Sequence, residues 1–448
     1  MREHWSSKVG FLLAAVGSAV GLGVLWKFPY TVGQNGGGLF LIAYFICIAC
    51  IGVPLLIGEL AIGRHSQRAA IGAFASLGKR GGWQIGGYLG AFASLLIMAF
   101  YSVIAGWGMS YIVMSLTGLY ADRHRDIGAL FSLLSSAGGI TLLWTTLFIA
   151  ITVGIVSTGV RQGVEKWSKL MTRALFVLLL ILLVNSLRLP GLGAACDFLF
   201  RIDPAGFTFS SGIEALGLAF FTLSLGQGIM ISYGSYLRRD TALQPMALVI
   251  GAAVIVAAIL AALTIFPVIF TFGLAPEAGQ GLIFQTLPYL FASLPGALIL
   301  STLFFILFVF TALTSAIPFI EVVATNLMEQ RHLSRHSATF IAGGISLLIA
   351  IPCALSGSGA LFPNWASIYG MTFIESIEAI VFVWLVPLAG LATSLFIGWG
   401  VRAELLKGEW GGRPLFLIWR AMLRYIIPIT IFLIILQKSG IIDIDTWF

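Results

Sequence analysis

The chain is a succession of long apolar runs separated by short stretches in which charges, prolines and small polar residues gather. Roughly 20 apolar residues carry a helix across a bilayer. The runs here predict eleven crossings, near 5–33, 38–64, 83–117, 138–158, 163–188, 212–238, 243–272, 297–328, 336–355, 372–400 and 414–438. The connections are short, so one transmembrane domain takes up the whole of 1–448. Two runs are interrupted in the same manner. The first reads Gly17-Ser18-Ala19-Val20-Gly21-Leu22-Gly23, and the sixth, five helices later, reads Phe221-Thr222-Leu223-Ser224-Leu225-Gly226-Gln227-Gly228. Glycine lets a backbone leave helical geometry, and the freed amides and carbonyls must then face an ion, a polar ligand or neighbouring protein. Small residues also let helices pack closely. Interruptions at corresponding positions, with Thr222 and Ser224 interleaved, point instead to an inverted repeat with a binding site near the bilayer midplane.

Composition narrows the class. Hydrophobic residues make up 59% of the chain and charged residues 10%, with a mean hydropathy of +1.01. A soluble domain carries about 25% charged residues, so a water-soluble fold of this size is excluded. A net charge of +7 and a pI near 9.3 would suit a nucleic-acid binder, but the basic residues follow a membrane topology instead. Nineteen of the 25 Lys and Arg fall in connections on the amino-terminal side, five on the other, and Lys27 lies within the membrane. This bias places the amino terminus in the cytoplasm, and the odd helix count sends Asp443 and Asp445 outside. Arg2, Lys8, the run Val9 to Val16 and Gly17-Ser18-Ala19 imitate a secretory leader with its cleavage site. Because the same span continues through Gly21 and Gly23, a broken first helix is expected rather than a discarded leader. Cys47, Cys50 and Cys353 sit in apolar runs and Cys196 in a loop, with no metal or redox spacing.

Charge within the apolar runs is costly and marks function. Lys27 follows the first interruption in Trp26-Lys27-Phe28-Pro29, while Glu375 and Glu378 open the tenth span. A Lys27–Glu378 pair would form an outer gate; the alternative is that these groups are interfacial and solvated. Glu59 lies deep in its run, where it either satisfies the free amides of a broken helix, the reading preferred here, or carries a proton. Glu321 follows Thr311, Thr314, Ser315 and Pro318, and three- and four-residue spacing puts the hydroxyls on one helical face. Such hydroxyls commonly bond the preceding turn of their own helix.

These residues resemble the neurotransmitter:sodium symporters, in particular their shorter bacterial members. The resemblance spans essentially all eleven runs. It is carried by Arg2-Glu3-His4-Trp5, the first interruption, Phe28-Pro29-Tyr30, Asn35-Gly36-Gly37-Gly38, Phe220 through Gly226, and Leu313-Thr314-Ser315. It implies an all-α integral membrane fold: two inverted five-helix repeats, about 5–188 and 212–400, with helices 1 and 6 broken and an eleventh helix at about 414–438. It also implies a sodium site formed by Gly17, Val20, Thr311, Thr314 and Ser315, oxygen ligands that suit a hard cation. The implied substrate cradle is Ala19, Gly21, Leu22, Gly23, Tyr101, Phe221, Thr222, Ser224, Gln227, Ser315 and Phe319. Amides opening a half-helix favour a carboxylate, and carbonyls closing the other half favour an ammonium group. Where monoamine carriers of the family have an aspartate, this chain has Gly21, which favours an amino-acid-like zwitterion. The implied outer gate is Lys27 with Glu378, and the inner gate Arg2 with Glu329, flanked by Trp5 and Tyr236. Lysine keeps the charge of the family's arginine and loses its bidentate fork.

The chain departs from the family at a second ion position, where oxygen-bearing side chains are replaced by Val24 and Val254, and at the chloride position, here Ala258. Aliphatic groups cannot ligate an ion. The expectation is therefore a Na+-coupled symporter of an amino acid or related small molecule, in a bacterial inner membrane, using one sodium and no chloride. The alternatives are a transporter-like sensor or channel, or a symporter of a non-carboxylate amine. A membrane enzyme is not expected: there is no HExxH or serine–histidine–acid arrangement, and His4, His65, His124, His332 and His336 lie in terminal or loop positions.

Overall fold

In a computed structural model, residues 3–78, 81–119, 127–274, 282–293, 296–410 and 412–442 are described. Among them every regular element is helical. That follows from the sequence, since a backbone in hydrocarbon must satisfy its own hydrogen bonds and an uninterrupted apolar run does so as a helix. Among the described residues nine helices are long and apolar enough to span a bilayer: α2 (Gly38–Ser66), α3 (Gln84–Leu116), α4 (Gly138–Ser157), α5 (Val160–Ser186), α7 (Leu243–Thr271), α8 (Ala297–Arg331), α9 (Arg335–Ser358), α10 (Phe373–Gly400) and α11 (Arg413–Lys438). A tenth span, α1, consists of Lys8–Ala19 and Gly23–Gln34, bent by 40° at the break. The sixth, α6, is split into Phe209–Thr222 and Ile229–Gly234. All eleven predicted crossings are thus helical, with ends displaced by a few residues.

Helix starts are set by local chemistry. The Ser7 hydroxyl accepts from the Gly10 amide at the head of α1, and Thr208 and Ser211 form a reciprocal capping box at the head of α6. The breaks are equally local. The peptide after Thr222 turns through Ser224 (φ 55°), Gly226 (φ 71°) and Gly228 (φ 72°). That left-handed backbone is cheap for glycine and strained for serine.

The repeat is visible in the lengths and places of corresponding helices. The two broken spans are α1 and α6, and the two longest helices are α3 and α8, with 33 and 35 residues. α8 packs along α3 and also touches α1, α5 and α9, while α6 lies against α2. The buried core therefore centres on α3, α8 and the two breaks. Outside it, α11 packs on α10.

Candidate substrate and ion sites

The two breaks meet at Ser18. Its hydroxyl lies 3.1 Å from that of Ser224, and its carbonyl accepts from the Ser224 hydroxyl at 3.3 Å and the Ser315 hydroxyl at 3.0 Å. One residue of α1 thus holds both the interruption of α6 and the middle of α8. Around this junction lies a cavity of about 10 Å³, lined, among the described residues, by Ser18 and the eleven cradle residues inferred from the sequence. Ala19, Gly21, Leu22 and Gly23 supply one wall, and Phe221, Thr222, Ser224 and Gln227 the opposite one. Tyr101 of α3 and Ser315 and Phe319 of α8 close the rest. Ser18 itself was missed by sequence reasoning, although it stands inside the interrupted motif.

At one end of the cavity the Leu22 amide donates to the Tyr101 hydroxyl at 3.2 Å, and the Tyr101 ring meets Phe319 edge-on at 5.6 Å. A carboxylate arriving here would take over the Leu22 amide and accept from Tyr101. Gly21 is tightly enclosed. A Cβ there would overlap the Ser315 hydroxyl and approach the Tyr101 oxygen at 3.3 Å, so the space an acidic side chain would need is already filled. A volume of about 10 Å³ holds about one water. The walls must therefore separate to admit a larger solute.

Of the residues inferred to hold sodium, Gly17 of α1 faces Thr314 of α8, and Ser315 borders the cavity. Thr311 and Thr314 are fully buried on α8, and a Cβ on Gly17 would meet the Thr314 Cβ at 3.2 Å. The same Cβ would overlap the Thr172 hydroxyl of α5, so glycine keeps α1 close to α5 as well as to α8 here. The Thr314 hydroxyl donates to the Thr311 carbonyl at 2.9 Å, and the Thr311 hydroxyl to that of Leu307 at 2.7 Å. These are bonds to the preceding turn. Each uses a proton and leaves the hydroxyl lone pairs available to a cation. Hydroxyl oxygens of this kind are the ligand type a hard monovalent ion takes.

The second ion position is different in kind. Val24, Val254 and Ala258 are all fully buried, and α7 packs against the Gly23–Lys27 segment. Of the two polar groups that remain there, the Ala19 carbonyl and the Thr222 hydroxyl, the latter donates to the Leu218 carbonyl at 2.9 Å and accepts from the Tyr44 hydroxyl at 2.9 Å. Aliphatic walls and a hydroxyl engaged on both sides do not fit a dehydrated cation. Tyr44 was not legible as a participant, because it reaches Thr222 from α2 across 178 positions of chain.

Closures flank the cavity. On one side the Lys27 ammonium lies 3.7 Å from the Glu378 carboxylate and 3.7 Å from the centre of the Phe382 ring, and Phe382 meets Phe221 edge-on at 4.7 Å. Lys438 of α11 pairs with Glu214 of α6 at 3.0 Å beside them. Glu375 closes a capping box with Thr372 at the start of α10 and borders an adjoining cavity of about 190 Å³ together with Glu378. On the other side Trp5 is buried, donating through its indole N–H to Tyr233 at 3.0 Å and through its amide to Tyr236 at 3.2 Å. Arg2 lies outside the described residues, so its pairing with Glu329 is not seen; the Glu329 carboxylate accepts from the Ala69 amide at 2.7 Å. Next to Tyr236, Arg335 pairs with Glu321 at 2.6 Å, and the Tyr236 hydroxyl donates to the same carboxylate. Glu59, fully buried, accepts from the Gly226 amide at 2.8 Å and so braces the break of α6.

Comparison with known proteins gives a consistent relationship. The profile of the Sodium:neurotransmitter symporter family matches residues 2–125 and 120–444. An uncharacterized sodium-dependent transporter of Bacillus subtilis, YhdH, is 37% identical over 446 residues, 98% of each chain. An uncharacterized sodium-dependent transporter of Haemophilus influenzae is 32% identical over 451 residues, again 98% of each. The crystal structure of MhsT in complex with L-phenylalanine superposes with a TM-score of 0.90 at 37% identity, covering 98% of this chain and 100% of that one.

Proposed function

The chain belongs to the sodium:neurotransmitter symporter family, and on that premise we propose that it is a Na+-coupled symporter of an amino acid, carrying one sodium and no chloride per cycle. The observation that carries this reading is the cavity at the meeting of both breaks, lined by backbone and neutral side chains with Tyr101 and the Leu22 amide at one end. Such a cradle suits a zwitterion. Its carboxylate would be held by the Leu22 and Gly23 amides and the Tyr101 hydroxyl, and its ammonium by carbonyls of the interrupted helices. The relative solved with L-phenylalanine supports the substrate class.

Gly17, Val20, Thr311, Thr314 and Ser315 would hold the sodium, whose charge links α1 to α8. Ser315 also borders the substrate cavity, so a residue at the ion site touches the substrate site directly. The valine-walled region offers no second ion a place, and Ala258 gives chloride none. Separation of Lys27 from Glu378 and of Phe221 from Phe382 would open one path. Release of Trp5 and of the Tyr236–Glu321–Arg335 contacts would open the other. The chain lies in a bacterial cell membrane as one domain, with its amino terminus cytoplasmic, its carboxyl terminus outside and repeats at about 5–188 and 212–400; the distribution of Lys and Arg supports that orientation. Purified protein in proteoliposomes should accumulate an amino acid above its external concentration when sodium is high outside. Equilibration without accumulation would make it a channel, and binding without flux a sensor.

A further inference from the structure

Gln227 is the polar residue of the cradle left without a partner. Its side chain is fully buried, and among the described residues neither the amide nitrogen nor the amide oxygen has a hydrogen-bond partner. Its backbone, by contrast, is firmly fixed. The Ser94 hydroxyl of α3 donates to the Gln227 carbonyl at 2.7 Å, and the helix surface at Gly90 lies so close that a Cβ there would meet the Gly228 nitrogen at 3.0 Å. The side chain is therefore held at the cavity wall by a rigid backbone, with a donor and an acceptor unspent.

A buried amide in this condition is destabilising, because both of its polar groups have given up water without gaining a partner. A packing role alone would be served better by methionine or leucine, which have similar volume and no desolvation penalty. Position in the cradle suggests what satisfies the amide. Tyr101, which meets the Leu22 amide at the carboxylate end, stands seven residues along α3 from Ser94, a separation of about 10 Å. The Gln227 carbonyl is thus anchored two turns of α3 away from Tyr101, and an amino acid whose carboxylate met Tyr101 would bring its side chain toward Gln227. The other groups bordering the cavity carry no carboxylate, ammonium or guanidinium, so a charged side chain would have no counter-charge there.

Resting on the reading of this cavity as an amino-acid site, we infer that Gln227 selects amino acids whose side chain is uncharged and hydrogen-bonding. A carboxamide matches it most fully, because it offers one acceptor and one donor to the two unspent groups. Glutamine and methionine, nearly equal in length and differing in this property, are the natural probes. Sodium-dependent binding to the full-length purified protein should be at least about tenfold tighter for glutamine than for methionine, the equivalent of one or two buried hydrogen bonds. Gln227→Met should remove or invert that preference. Equal or tighter binding of methionine by the wild type, or an unchanged ratio in Gln227→Met, would overturn the inference while leaving an amino-acid site in place. If none of the common amino acids binds the wild type in sodium, both this inference and the proposed function fail. Thermal unfolding without amino acid gives an independent readout. Gln227→Met should match or exceed the wild type, because an unsatisfied amide has been removed; a drop of several degrees would mean that the amide is satisfied within the protein and would overturn the specificity role.

Discussion

Thr314 and Ser315 each bear on two functions, and this makes them sensitive probes. Their hydroxyls donate within the protein, to Thr311 and Ser18, and keep lone pairs for a cation. The double substitution Thr314→Ala, Ser315→Ala should lower sodium-dependent substrate binding at least about tenfold with little loss of fold, as read by binding titrations in sodium and in potassium. Retention of wild-type sodium dependence would place the ion elsewhere. Ser224 offers a test of the break itself. It holds a left-handed backbone at φ 55° while its hydroxyl bonds Ser18. Ser224→Ala keeps the strain, about 1 kcal/mol or more, and loses the bonds, whereas Ser224→Gly loses the bonds and the strain together. The alanine variant should unfold at the lower temperature; the reverse order would show that backbone strain is not what limits this position. Legibility at this scale was uneven. Gly21 and Ser315 were readable because they stand in motifs, and Glu321 as a charge in an apolar run, whereas Tyr44 and the pairing of Glu321 with Arg335 act through contacts between helices that no local pattern encodes.

The proposed gating would be carried by whole helices. α1, α6 and α10 meet at Lys27, Phe221, Phe382 and Glu378, and α11 joins them through Lys438 and Glu214. Exposures of 14% and 13% place Lys27 and Glu378 between a solvated surface pair and a buried one, where loss of one partner leaves the other poorly solvated. Lys27→Ala should therefore slow flux several-fold while changing equilibrium substrate affinity less, because it acts on the closed outer state more than on the cradle. Equal flux in mutant and wild type would reduce the pair to an interfacial contact. The helices themselves were readable from apolar runs of membrane-spanning length, and the two breaks from glycines in matching places. Their ends were less so: α8 runs on to Arg331 beyond the predicted 328, since a helix can continue past the hydrocarbon where polar groups can meet water. The arrangement of α11 against α10 and α6 had no signature in the sequence, because an apolar face in lipid gives no indication of its neighbour.

Across the whole molecule, coupling depends on which cavities can hold an ion. One set of oxygens joins α1 to α8, and the other position is walled by Val24 and Val254 with Thr222 engaged by Tyr44 and Leu218. Val24→Asn alone should create no second sodium requirement, because Val254 still offers no oxygen; a sodium dependence turning from hyperbolic to cooperative in that variant would contradict this. The most direct test of one-sodium symport is the ratio of sodium to amino acid co-transported into proteoliposomes, measured with both solutes labelled. A ratio near one, with uptake unaffected by replacing chloride, is the result expected. A ratio near two, or amino-acid accumulation that persists without a sodium gradient, would contradict it.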